Sequence, residues 1–161
     1  MVRKVVVVLP LLILSTALSM AREEAKVPAD TKIVLERTAC YGTCPIYTVT
    51  IDANGNTEFV GQDFVAVKGR QEKTIPVDNV ASILAEVEKA KFFELNGRYD
   101  YQDWTDSPSA FIAITADGRT KRIEHYYGCK SANEQELKAL TDLAKKIDEA
   151  AGTAEWVKKV K

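Results

Sequence analysis

Cys40 and Cys44 stand four positions apart in Ala39-Cys40-Tyr41-Gly42-Thr43-Cys44-Pro45-Ile46-Tyr47. Thiols at that spacing can exchange electrons, hold a metal or close a disulfide. Redox enzymes usually set C-x-x-C at a helix N-terminus, where the dipole lowers one thiol pKa. Here the spacing is C-x-x-x-C, and residues 46–51, β-branched and alternating, predict a strand. No activating helix dipole is evident. A metal needs further donors, and His125 and Cys129 complete three sulfurs and one imidazole, a known structural zinc set. Alternation through Ile123, His125 and Tyr127 equally makes His125 a plain strand residue. In an oxidising compartment nearby thiols pair, and three cysteines leave one over. A Cys40–Cys44 bond closes a small loop that Gly42 lets turn back. A bond from either cysteine to Cys129 closes a loop of roughly 85 residues, worth about 4 kcal/mol in the chain-entropy account. The expected pairing is Cys40–Cys44, with Cys129 the alternative partner; the redox and zinc readings stay open.

A second cluster lies at residues 99–106, where three carboxylates and three aromatics fall together. Tyr99, Tyr101, Asp103, Trp104 and Asp106 are candidates for a binding surface, because aromatics beside carboxylates can hold sugars or peptides. The spacing does not match the alternate ligands and sixth-position glycine of an EF-hand. The plainer alternative is a loop that packs its own side chains. No other catalytic set stands out. The chain has one histidine, no serine in a nucleophile-elbow context and no phosphate-cradling glycine loop. No cofactor is expected, and the expected role is a non-enzymatic binding or envelope-associated domain stapled by a disulfide, with a thiol-disulfide redox protein on Cys40 and Cys44 or a structural zinc domain as the alternatives.

These groups sit in a chain of 161 residues with net charge −1, a length suited to one domain and a charge that leaves no basic footprint for nucleic acid. Arg3 and Lys4, an apolar run at 5–18 and the small residues Ser19-Met20-Ala21 predict a signal peptide over 1–21, too short in its apolar part to span a bilayer. A retained N-terminal anchor is the alternative. No cysteine stands at the cleavage point for a lipid anchor. The expectation is a periplasmic or secreted protein with no membrane span after cleavage. Its partners are unknown, with an envelope protein, a peptide or a glycan as the classes in view.

Beyond a polar leader at 22–31, one domain is expected over 32–161. Strands are predicted at 32–38, 46–51, 57–61, 64–67, 72–75, 111–115 and 119–127, with Asn54-Gly55 and Asp117-Gly118 as turns. Asp78 is a candidate N-cap for a helix carrying Val80, Ile83, Leu84 and Val87 at helical spacing. Ser131 and Glu134 form a candidate capping box for a second helix with Leu137, Leu140, Leu143 and Ile147, closed by Gly152. A short final turn carries Trp156. Hairpins and two amphipathic helices predict an α+β fold, an antiparallel sheet with both helices on one face.

The stretch Cys40-Tyr41-Gly42-Thr43-Cys44-Pro45-Ile46-Tyr47, preceded by Glu36-Arg37-Thr38-Ala39, resembles a bacterial exported family of unknown function marked by C-x-G-x-C-P-x-Y. Asn54-Gly55, Gly61, Val67-Lys68-Gly69, Ala90-Lys91-Phe92-Phe93, Thr105-Asp106-Ser107-Pro108, Ile147-Asp148 and Trp156-Val157 match in order. The resemblance implies an exported single domain with the cysteine loop as its hallmark. It implies no activity, cofactor or catalytic residue.

Overall fold

A computed structural model describes residues 27–100, 106–130 and 133–158. Seven strands form one mixed sheet: β1 Lys32–Arg37, β2 Ile46–Asp52, β3 Asn56–Asp63, β4 Gly69–Thr74, β5 Arg98–Tyr99, β6 Ser109–Ala116 and β7 Arg119–Tyr126. Three helices accompany them: α1 Val77–Lys89, α2 Glu134–Ala151 and the single turn α3 Ala154–Val157. A 3-10 turn, Phe92–Glu94, follows α1. The strand order is β4-β3-β2-β1-β6-β7-β5. The chain is therefore α+β, as its hairpins and amphipathic stretches imply.

Period-two alternation builds the sheet. In register, Phe59, Val49, Leu35, Ile112 and Ile123 form one line of buried side chains across five strands. Val80, Ile83 and Val87 from α1, with Leu140, Leu143 and Ile147 from α2, join the same core. Each helix supplies a stripe at i, i+3, i+4 and i+7 spacing, the form an amphipathic helix takes when it covers a sheet. A smaller cluster, Tyr47, Phe59, Val65 and Trp156, is layered ring on ring: Phe59 lies 5.2 Å from Tyr47 and 5.0 Å from Trp156.

Four local expectations are corrected. The sheet is not wholly antiparallel, because β5, two residues for which the sequence predicts no strand, pairs parallel with β7. Residues 64–67 form a bend instead of a strand. Asp63 accepts from the Phe64 N–H, Phe64 takes a left-handed φ of 52°, and the turn sends Val65 into the small cluster. Asp78 does not cap α1; Pro76 precedes the helix, and Asp78 lies in its first turn, where a carboxylate suits the positive end of the dipole. Asn133 caps α2 by accepting from Gln135 N–H at 2.9 Å, two residues later than the capping-box reading, whose Ser131 lies outside the described residues. Gly152 does close α2, with φ 64°.

Candidate functional site

Cys40 and Cys44 are joined by a disulfide, with their Cα atoms 5.7 Å apart. The loop leaves the end of β1 and re-enters the sheet as β2, so no helix begins at either sulfur. Gly42 is not in the left-handed region, and an added Cβ would meet only the Cys40 sulfur at 3.7 Å. The loop thus turns back without needing glycine's conformational freedom, contrary to the reading from sequence. Its tip is in solvent, and Tyr41 is 89% exposed. Tyr41 N–H donates to the Asp106 carbonyl at 3.1 Å, and the Thr38 hydroxyl exchanges bonds with the Ser109 backbone, tying the loop to the start of β6.

Register explains what holds both flanks. Tyr47, Arg37, Ala110, His125 and Tyr99 stand opposite one another in a line from β2 to β5, on the same side of the sheet as the core. Polar groups on that side need partners from above, and α2 supplies them. The Asp148 carboxylate accepts from Arg37 Nε at 3.0 Å and Nη2 at 2.7 Å on one oxygen. On the other it accepts from the hydroxyls of Tyr47 and Thr153, each at 2.8 Å. Arg37 Nη1 donates to the Tyr127 hydroxyl at 2.9 Å. At the far end of the line, Tyr99 donates to Glu136 at 2.6 Å and accepts from Asn96 N–H.

The spacing of these anchors shows how α2 lies. Glu136 and Asp148 are twelve residues apart, or about 18 Å along a helix. Four inter-strand steps from β2 to β5 cover about 19 Å. The helix therefore spans the line, one carboxylate at each end.

The electrostatics are those of a lock. Desolvation alone would lower the Arg37 pKa, but Asp148, and after it the phenol groups of Tyr127 and Tyr47, outweigh it and hold the guanidinium above its usual value. Burial, then the Asp148 charge, pushes the Tyr47 phenol up, so it stays a proton donor. Burial, with the Arg37 charge second, pushes His125 down to about 4, leaving a neutral imidazole. His125 is 3% exposed, rests 4.7 Å from the Tyr127 ring, and its Nδ1 has no partner. Each Asp148 oxygen accepts from two donors of the protein itself.

The candidates from sequence separate accordingly. Cys40 and Cys44 use their sulfurs on each other, while Cys129 is a buried free thiol. The Cys3His zinc set is not assembled, and among the described residues no three Cys, His, Asp or Glu side chains group as a metal site. Tyr99 is not a surface residue: at 1% exposure it belongs to the core, because β5 adds it to the sheet. Asp106 is exposed and holds the disulfide loop through its carbonyl. Tyr101, Asp103 and Trp104 lie outside the described residues, as does the stretch 1–21 read as a signal peptide. No helix among the described residues is long and apolar enough to cross a membrane.

Reading by residue type missed the Arg37–Asp148 pair as a site. One signal was available: Arg37 shares strand parity with Ile33 and Leu35, and a guanidinium on a buried face demands a counter-charge. No curated protein matches the chain. A family model described as a domain of unknown function, DUF6438, matches residues 31–151, about three quarters of the length, and the chain belongs to that family.

Proposed function

We propose that this DUF6438 protein is an exported, periplasmic or secreted, non-enzymatic binding domain of the cell envelope, which presents its disulfide end to a partner. The observation that carries the reading is Tyr41, an aromatic 89% exposed on a loop braced from within by its disulfide and on both flanks by Arg37, Tyr47 and Asp148. Ordering a side chain at a binding surface costs less when the backbone beneath it is already fixed. Phe64 supports the same reading. It follows Asp63, which pairs with Ile46 two residues after Cys44, so it belongs to the same end of the sheet. It is 45% exposed and held at a left-handed φ that costs a bulky residue about 1–2 kcal/mol and glycine almost nothing. Backbone strain that puts an aromatic ring in water is a mark of use. A bonded cysteine pair also suits an oxidising compartment outside the cytosol. Asp106 joins the proposed surface through its carbonyl, which accepts from Tyr41 N–H.

The test places a photo-crosslinking amino acid at position 41, at position 64 or at the exposed control Lys91, in cells that express the whole chain. Position-specific adducts with an envelope protein, peptide or glycan at 41 and 64, and none at 91, are expected. Cell fractionation should find the chain outside the cytosol. A cytosolic chain, or adducts indifferent to position, would refute the proposal. Phe64→Gly separates binding from folding, because it should hold or raise stability while weakening the adduct at 41.

A further inference from the structure

The β4 edge carries an inference of its own. β4 ends the sheet order, and among the described residues nothing pairs with its outer side. Its register with β3 is unbroken from Asn56↔Thr74 to Gly61↔Gly69, without bulge or proline. Bulges, prolines and outward lysines are the usual guards of an edge strand. The single lysine, Lys73, is turned to Glu155 at 2.6 Å and to the Trp156 ring at 4.4 Å, so it does not stand guard. What remains is alternating charge: Arg70 and Glu72 on one face of the strand, with Gln71 between them.

We propose that β4 pairs antiparallel with β4 of a second copy of this chain, about a two-fold axis through Gln71, joining two sheets into one. A two-fold perpendicular to the sheet keeps each face on its own side, so the axis must pass through a residue. Through Arg70 or through Glu72 it sets like charges against each other. Through Gln71 it sets Arg70 opposite Glu72 of the second copy, twice. Within one chain Glu58 and Glu72 share a single guanidinium: Arg70 Nη2 lies 2.7 Å from one and 2.5 Å from the other. In the pair each Glu72 also faces the Arg70 of the other copy, and opposite charges face to face stabilise an antiparallel pair where like charges destabilise it.

Analytical ultracentrifugation of the purified chain, with its Cys40–Cys44 bond intact, reads the association. Arg70→Glu or Glu72→Arg turns both cross-axis pairs into like charges, which should weaken the dimer at least about tenfold. The double exchange R70E/E72R restores opposite charges and should recover the dimer. Gln71→Cys tests the register independently of those charges. Facing Cα atoms in an antiparallel pair lie about 4.5–5.5 Å apart, within disulfide reach, so mild copper-phenanthroline oxidation should link two copies. Lys68→Cys, just beyond the strand, should not link. A chain that stays monomeric with Q71C linking no faster than K68C overturns the proposal. So does a dimer indifferent to the charge exchanges.

Discussion

Asp148→Ala removes four accepted hydrogen bonds in one step and leaves Arg37 without a counter-charge. Breaking a fully buried ion pair from one side costs about 3–5 kcal/mol. Here the two side chains keep 23% and 18% exposure, so water offsets part of that and about 2–3 kcal/mol remains. The Tyr47 hydroxyl, left without its acceptor, adds about 1 kcal/mol. The expected loss is therefore about 3–4 kcal/mol, a large share of the ~5–15 kcal/mol that holds a domain together. At roughly 3–4 °C per kcal/mol for a chain of this size, the melting temperature should fall by about 10–15 °C. Urea unfolding near neutral pH, with the disulfide intact, measures the loss directly. Arg37→Met and the double variant complete a cycle. Removing Arg37 also removes the stranded charge, so the double variant should be more stable than the summed singles require, by about 2 kcal/mol. A loss below about 1 kcal/mol for Asp148→Ala, or an additive cycle, would show that this network does not brace the disulfide loop.

Three further outcomes are expected. Reducing Cys40–Cys44 frees a loop with a sequence separation of 4 and should cost about 2 kcal/mol, with the circular dichroism of the fold retained; unfolding on reduction would contradict the small-loop estimate. Gly55→Ala should cost at least about 2 kcal/mol more than Gly118→Ala. Both sites have left-handed φ, but a Cβ at 55 would meet the Ile75 carbonyl oxygen at 2.1 Å and one at 118 meets nothing within 4 Å, so equal melting temperatures would refute the packing. His125 stays neutral in the fold down to about 4 but titrates at its ordinary 6.5 when unfolded. Between those values the unfolded chain binds the extra proton. Stability is then full above about 6.5 and falls toward pH 4 by up to about 3 kcal/mol. Denaturation over that range should show a slope that His125→Gln flattens.

Much of the sheet is legible in the chain, because a half-buried strand writes its parity into the sequence. Ile33-Leu35, Tyr47-Val49-Ile51 and Ile112-Ile114 announce both strand and inner face. The helix stripes of α1 and α2 are equally plain. β5 was hidden because two residues, Arg98 and Tyr99, carry no period, and their pairing depends wholly on β7 beside them. The bend at Phe64 was hidden because its residues favour a strand. The neighbouring Asp63 carboxylate, bonded to the Phe64 N–H and to Lys68, overrides that preference. The site was half legible. The cysteine loop marks itself, but Arg37 and Asp148 are 111 positions apart, and only the folded register shows that they meet.

The strand order has a consequence for how this chain reaches its fold. β1, the earliest strand, ends up in the middle of the sheet, with β2 on one side and β6 on the other. The meander β1 to β4 needs only near neighbours and can form quickly, whereas the β1–β6 seam joins residues such as Leu35 and Ile112. Until β6 arrives, the inner strand is an open edge carrying Ile33 and Leu35, a template for another chain. Closing that long loop should limit the folding rate, in keeping with the slowness of non-local sheet pairing. The Arg37–Asp148 bond draws together the end of β1 and the end of α2. Its separation of 111 positions should place its formation late, so that Asp148→Ala is expected to speed unfolding more than it slows folding.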